Sequence, residues 1–268
     1  MSRVSKWLAI VIAFALVGGC ASGPGSSGAG SNASKDSRRT STTATKSSKA
    51  KPGCKVKKNV VAWKLVKGGC RNGYAHGKGY AISIDKRRSY RGNFLAGQFS
   101  GKGKYIWVDG TQYTGNFYKG KKHGSGTIVY ADKRRYSGDF KNNVYDGKGT
   151  YTDADKSKYV GQFKAGQFNG EGTYRWANGN VYVGEFRDNV MSGQGTFTRA
   201  NGEKYTGEFA ANKMNGNGKY TWPNGDRYTG EFRNNKMNGT GTYRDADGSE
   251  YTGEFKDGKK VKKGLLGF

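Results

Sequence analysis

From Tyr90 onward the chain is periodic, and the period decides what it can fold into. A Tyr-x-Gly-x-Phe unit opens at Tyr90, Tyr113, Tyr136, Tyr159, Tyr182, Tyr205, Tyr228 and Tyr251. It closes at Phe94, Phe117, Phe140, Phe163, Phe186, Phe209, Phe232 and Phe255, and the starts are 23 residues apart without a slip. Of the 33 glycines from Tyr90 to the end, 32 fall at five phases of this period. Such self-similarity means a repeat array, in which a unit buries its apolar face only against its neighbours. Tyr, Gly and Phe at i, i+2 and i+4 share one face of a strand, and the run Gly101, Gly103, Tyr105 repeats the pattern on the next strand. A glycine leaves room for a ring to lie flat on the backbone, so the expected core is ring on peptide.

The remaining phases supply turns and a wet face. The seventh residue after each Tyr is Gly97, Gly120, Asn143, Gly166, Asn189, Asn212, Asn235 or Gly258, always a residue that accepts φ > 0. Between units stand Asp109-Gly110, Asn178-Gly179, Asn201-Gly202, Asn224-Gly225 and Asp247-Gly248, strong hairpin signals. Asp132-Lys133 and Asp155-Lys156 lack the Gly, which predicts weaker turns there. Thr206 and Glu208, Thr229 and Glu231, and Thr252 and Glu254 make the opposite strand face polar. The fold class is therefore all-β, an elongated single-layer antiparallel array of β-hairpins. About sixteen strands at ~4.8 Å would extend roughly 75 Å.

Composition taken without the period misleads. Leu, Ile, Val and Phe make up only about 15% of the 268 residues and the net charge is +27, a balance that usually marks disorder. The phased glycines and the 18 Tyr, 13 Phe and 5 Trp replace the missing aliphatic core.

Tyr-x-Gly-x-Phe, Gly-x-Gly-x-aromatic and Asp/Asn-Gly at a 23-residue period together resemble the MORN repeat, over Tyr90 to about Gly264. The resemblance implies an array of β-hairpins used for membrane-proximal scaffolding or protein association, with direct phospholipid binding proposed for some members. Many members carry Trp where this chain has the Phe of the unit.

The N-terminal part reads differently. Arg3 and Lys6 precede an apolar run from Trp7 to Val17 that is too short to span a bilayer. Leu16-Val17-Gly18-Gly19-Cys20 resembles a bacterial lipobox, which implies a signal peptide over 1–19 and lipid attachment at Cys20. Ala21 follows, so nothing implies retention at the inner membrane. The expected location is the outer membrane facing the periplasm. Residues 20–52 read as a disordered, lipid-anchored linker. Residues 53–89 read as an N-terminal cap, with Val61, Trp63 and Leu65 on an additional strand and Val66-x-Gly68-x-Cys70 as a degenerate unit. The repeats run over 90–264, and 265–268 close the C-terminal end. Cys54 and Cys70 in an exported chain predict a disulfide.

Chemistry is sparse. His76 and His123 both precede Gly-x-Gly, which suggests half-exposed turn residues. Glu185, Glu208, Glu231 and Glu254 recur once per unit, as in a sheet ladder rather than an acid/base pair. The expectation is no enzyme, no cofactor, no metal and no small-molecule substrate. Lys86, Arg87 and Arg88, Lys121 and Lys122, and Lys133, Arg134 and Arg135 are candidate contacts to an anionic surface. The partner classes are the membrane through the anchor, an anionic phospholipid, or another envelope protein. Nucleic acid fits the charge but not the compartment. The alternative is a carbohydrate- or peptidoglycan-binding envelope module, because Trp107, Tyr130, Trp176 and Trp222 share one phase. Asp153, Arg199 and Asp245 interrupt that row.

Overall fold

The computed structural model describes residues 53–57 and 62–261, and every regular element in them is a strand. The signal segment, Cys20, the linker and the C-terminal closing residues lie outside the described residues. In chain order the strands are β1 (Trp63–Arg71), β2 (Tyr74–Ser83), β3 (Ser89–Leu95), β4 (Gln98–Ile106), β5 (Gln112–Tyr118), β6 (Lys121–Val129), β7 (Arg135–Lys141), β8 (Val144–Thr152) and β9 (Lys158–Lys164). They continue as β10 (Gln167–Arg175), β11 (Val181–Arg187), β12 (Val190–Thr198), β13 (Lys204–Ala210), β14 (Lys213–Thr221), β15 (Arg227–Arg233), β16 (Lys236–Arg244), β17 (Glu250–Lys256) and β18 (Lys259–Lys260). Each strand pairs antiparallel with the next, so the 18 strands form one meandering sheet.

Two turn types alternate. The short one has two central residues, both with positive φ, as at Ala96-Gly97 (47° and 80°) and Ala211-Asn212 (50° and 64°). This type I′ geometry matches the twist of the flanking strands. The long turn is built differently. Gly110 N–H donates to the Trp107 carbonyl (3.1 Å), Trp107 N–H donates to Thr111 O (2.9 Å), and the Asp109 carboxylate accepts the Thr111 N–H (2.9 Å). The Asp-Gly pair thus ends a three-residue loop with Gly110 in the left-handed region. Lys133 and Lys156, at φ 73° and 75°, take the glycine's place and keep the same bond to Tyr130 O and Asp153 O. The missing glycine therefore leaves the turn geometry unchanged.

The core is a row of tyrosines lying on glycines. Tyr90, Tyr113, Tyr136, Tyr159, Tyr182, Tyr205 and Tyr228 have no exposed surface. A Cβ built on Gly103 would fall 2.6 Å from Tyr90 Cε2, and one on Gly92 would fall 2.7 Å from its Cζ, so the ring covers a glycine on its own strand and one on the next. The hydroxyl donates to a backbone carbonyl three residues on, from Tyr90 to Asn93 (2.9 Å) through Tyr228 to Glu231 (3.1 Å). The eight Phe residues are also buried. Tyr90 meets Phe94 and Phe117 edge-on at 5.1 and 5.2 Å, and the same contacts continue to Tyr228, Phe232 and Phe255. Each such pair contributes roughly 0.5–1.5 kcal/mol beyond area burial.

One part of the expected strand pattern is wrong. Gly103 and Tyr105 face the core, but Gly101 (φ 56°) belongs to a bulge in which Asn93 stands opposite residues 100–102. Its counterparts Gly124, Gly147, Gly170, Gly193, Gly216 and Gly239 also have positive φ. The missing Cβ there admits a side chain from the neighbouring strand, since a Cβ on Gly216 would sit 2.7 Å from Glu208 Cδ.

The N-terminal end is also simpler than expected. The additional strand and the degenerate unit are a single strand, β1, with register shifts between Leu65 and Lys67 and between Gly68 and Gly69. These shifts absorb the extra residue of spacing and put Leu65, not Val66, at the tyrosine's place opposite Ala81. Leu65 and Trp63 are buried, while Val66 is exposed. Cys54 and Cys70 lie at disulfide distance, Cα–Cα 5.7 Å. This holds residues 53–57 across the first hairpin tips, where Lys55 N–H bonds Gly73 O and Lys57 N–H bonds Gly97 O, each at 2.8 Å.

Candidate interaction face

Because the rings close one face of the sheet, the opposite face is the one that presents side chains to solvent. The residue after each Tyr stands beside its counterpart on the next strand, giving a row that runs Arg91, Lys104, Thr114, Thr127, Ser137, Thr150, Val160, Thr173, Val183, Thr196 and Thr206. A second row holds the residue before each Phe and the one between the paired glycines. It begins Lys78, Asn93, Lys102 and Asn116 and ends Glu171, Glu185, Gln194, Glu208, Asn217, Glu231, Thr240 and Glu254. The face is therefore basic over β2–β4 and, apart from Lys219 on β14, acidic over β10–β17. A groove of about 700 Å³, lined in part by Arg91, Lys102, Lys104, Ser137 and Asp139, marks its basic end. Arg91 is readable from the sequence as a polar-face residue, whereas Lys78, Lys102 and Lys104 escaped the sequence reading because they do not form a contiguous run. The strand period alone places them on one face.

The recurring carboxylates have a local task. Glu185, Glu208 and Glu231 accept the bulge N–H of Gln194, Asn217 and Thr240 at 3.2, 2.9 and 2.9 Å, and Asp139 accepts that of Lys148 at 3.1 Å. They are bulge clamps as well as surface charges.

The predicted basic clusters are not gathered into one patch. Lys86, Arg87 and Arg88 occupy the β2–β3 turn, and Lys133 and Arg134 the β6–β7 turn with Arg135 opening β7, on the long-turn rim and about 19 Å apart at four strand spacings. Lys121 follows a short turn and belongs to the other rim. Two arginines are engaged locally. Arg88 pairs with Asp85 (3.9 Å), and Arg134 pairs with Asp132 (2.7 Å) above the Tyr130 ring.

Lys122 is a correction. It faces the aromatic side, with its amine 5.4 Å from Trp107, 5.8 Å from Tyr113 and 5.5 Å from Phe140. Burial pushes that amine down to about 8, and the half-buried side chain lies over the rings, apart from the basic groups of the turns. Its position is the ninth after the Tyr and covers the core tyrosine, as Phe99, Tyr145 and Phe168 do by stacking at 3.8, 3.7 and 3.8 Å. His76 and His123 are half-buried but lie inside β2 and β6, not in turns.

Trp107, Trp176 and Trp222 are half-buried against Tyr105, Tyr174 and Tyr220 at 4.3, 4.6 and 4.5 Å. Trp176 and Trp222 also reach Phe197 and Tyr243 of the next unit. Trp176 and Trp222 thus help to pack one unit on the next. Among the described residues no group of three His, Cys, Asp or Glu side chains is placed to hold a metal.

The family model of the MORN repeat matches eight consecutive segments, 90–112, 113–133, 136–158, 159–181, 182–204, 205–227, 228–250 and 251–261. No curated protein matches the chain. Among solved structures, it is similar to the TCP domain of SAS-4 from Drosophila melanogaster in complex with a proline-rich motif of Ana2. That match has 10% identity and a TM-score of 0.38 over 58% of this chain and 84% of that one. The G-box domain of the microcephaly protein CPAP matches at 13% identity and a TM-score of 0.28, over 73% of this chain and all of that one. A streptogramin B lyase matches at 9% identity and 0.16, over 65% and 66%.

Proposed function

Because the chain belongs to the MORN repeat family, whose repeats are protein- and membrane-binding modules, we propose that it is a non-enzymatic scaffold, exported and lipid-anchored through Cys20. Its long-turn rim engages an acidic envelope surface or an envelope protein. The observation that carries this reading is the pair of tribasic clusters at two turns of one rim, of which Lys86, Arg87, Lys133 and Arg135 have no ion-pair partner among the described residues. Each basic group near an anionic bilayer contributes ~1 kcal/mol.

Liposome co-sedimentation tests it. Binding to anionic vesicles is expected, weakened steeply by salt and by R87Q/R135Q, and weakened less by R88Q/R134Q, whose guanidinium groups are already paired. Binding that ignores salt would exclude the anionic-surface reading. A cross-linking capture from the native envelope then reports a protein partner.

A further inference from the structure

We propose that the polar face pairs with the same face of a second copy, about a two-fold axis parallel to the strands at the β9–β10 hairpin. The row beside the bulges carries Lys78 on β2, Lys102 on β4 and Lys148 on β8. It also carries Glu185 on β11, Glu231 on β15 and Glu254 on β17. Each lysine and one glutamate are equidistant from that hairpin, β2 with β17, β4 with β15 and β8 with β11. A two-fold axis lays β2 of one copy over β17 of the other, so all three lysines meet carboxylates, twice over. None of the six takes part in an ion pair among the described residues.

Two observations at the axis point to the same partner. Glu171 and Glu185 are directly opposite each other on β10 and β11, a like-charge pair that destabilises a sheet, and the second copy brings its Lys148 to this place. The neighbouring row reads Thr150, Val160, Thr173 and Val183 over β8–β11, with each residue the cross-strand partner of the next. Val160 and Val183 are 44% and 50% exposed. The axis sets each valine against a threonine of the other copy, giving an apolar centre within a charged surround. Isologous pairing requires this self-complementarity, and two sheets packed about 10 Å apart are within lysine reach. The long-turn rim stays outside the contact, so this inference stands independently of the function proposed above.

The test uses the full chain in a mild nonionic detergent, followed by sedimentation velocity. A dimer is expected at about 0.05 M salt, dissociating toward monomer at about 0.5 M. K148E and E185K are each expected to weaken it at least about tenfold, while K148E/E185K in one chain restores it, since the swapped charges meet across the axis. Circular dichroism confirms that each variant is folded. A monomeric wild type at low salt, a dimer indifferent to K148E, or a folded double variant that stays monomeric would each overturn the proposal.

Discussion

At the residue scale the decisive contact is a tyrosine lying on a glycine. A Cβ on Gly172 would fall 2.5 Å from Tyr159 Cε2 and 2.6 Å from its hydroxyl. The Tyr159 ring cannot retreat, because Phe168 stacks on it at 3.8 Å. G172A is therefore expected to cost about 3 kcal/mol of unfolding free energy. Y159F, which keeps the ring and loses the hydroxyl's bond to Gln162 O (2.9 Å), should cost about 1 kcal/mol. Denaturant melts of the two variants check the order, and equal costs would mean that the glycine row is not a steric requirement. Lys122 is the opposite case, a charge in a place that Met191 and Met214 fill as buried side chains. K122M is expected to stabilise the chain by about 1–3 kcal/mol. The pH dependence has a definite sign. The folded-state amine titrates near 8 and the ordinary one at 10.5, so the unfolded chain holds a proton that the folded chain has lost. Wild-type stability should rise with pH between those values. Melts at pH 7 and 9.5 should show that rise in the wild type and not in K122M.

At the element scale the hairpins are fastened to one another at their tips, and the fastening differs between units. Asn235 donates its N–H to Met214 O (3.0 Å) and accepts the Met214 N–H on Oδ1 (2.8 Å). Gly166 supplies only the first of these bonds, to Tyr145 O (2.8 Å). N235G should thus cost about 1 kcal/mol and G166N should regain a similar amount, measurable as opposite shifts in denaturation midpoint. The strands, both turn sites and the ring-on-glycine core were legible in the period, because each repeats at fixed phase and each residue type has one physical use there. The bulge was not. Gly101 and Gly103 look alike in sequence, and only the pairing register tells the positive-φ glycine from the one beneath a ring. Nor was the first residue of the short turn, since Ala96 and Lys119 take φ 47° under the twist of the flanking strands and not from their own preference. On the candidate face, the basic turns were readable as runs. Lys78, Lys102 and Lys148 gained meaning only once their strands were counted from the β9–β10 hairpin.

At the scale of the whole molecule, a linear array is as stable as its units and the interfaces between them, and here every interface contains a buried phenol. Burial pushes Tyr159 and Tyr228 up to about 12 and moves Tyr90, Tyr113, Tyr136, Tyr182 and Tyr205 in the same direction. Above the ordinary tyrosine value of 10.0, the unfolded chain gives up protons that the folded chain keeps. Each buried tyrosine then removes about 1.4 kcal/mol of stability per pH unit up to its folded-state value. The tyrosines' contribution is complete below pH 10 and is lost as pH rises beyond it, opposed by that of Lys122 up to pH 10.5. Because the losses are spread along the sheet, no hairpin survives as a stable remnant. Phenolate absorbance should appear steeply, in step with the collapse of the near-ultraviolet dichroism. Mutating one site, as in Y159F, should move that midpoint upward only slightly, because six equivalent phenols remain. Gradual ionisation with the dichroism intact would instead mean that the rings reach solvent from the folded sheet.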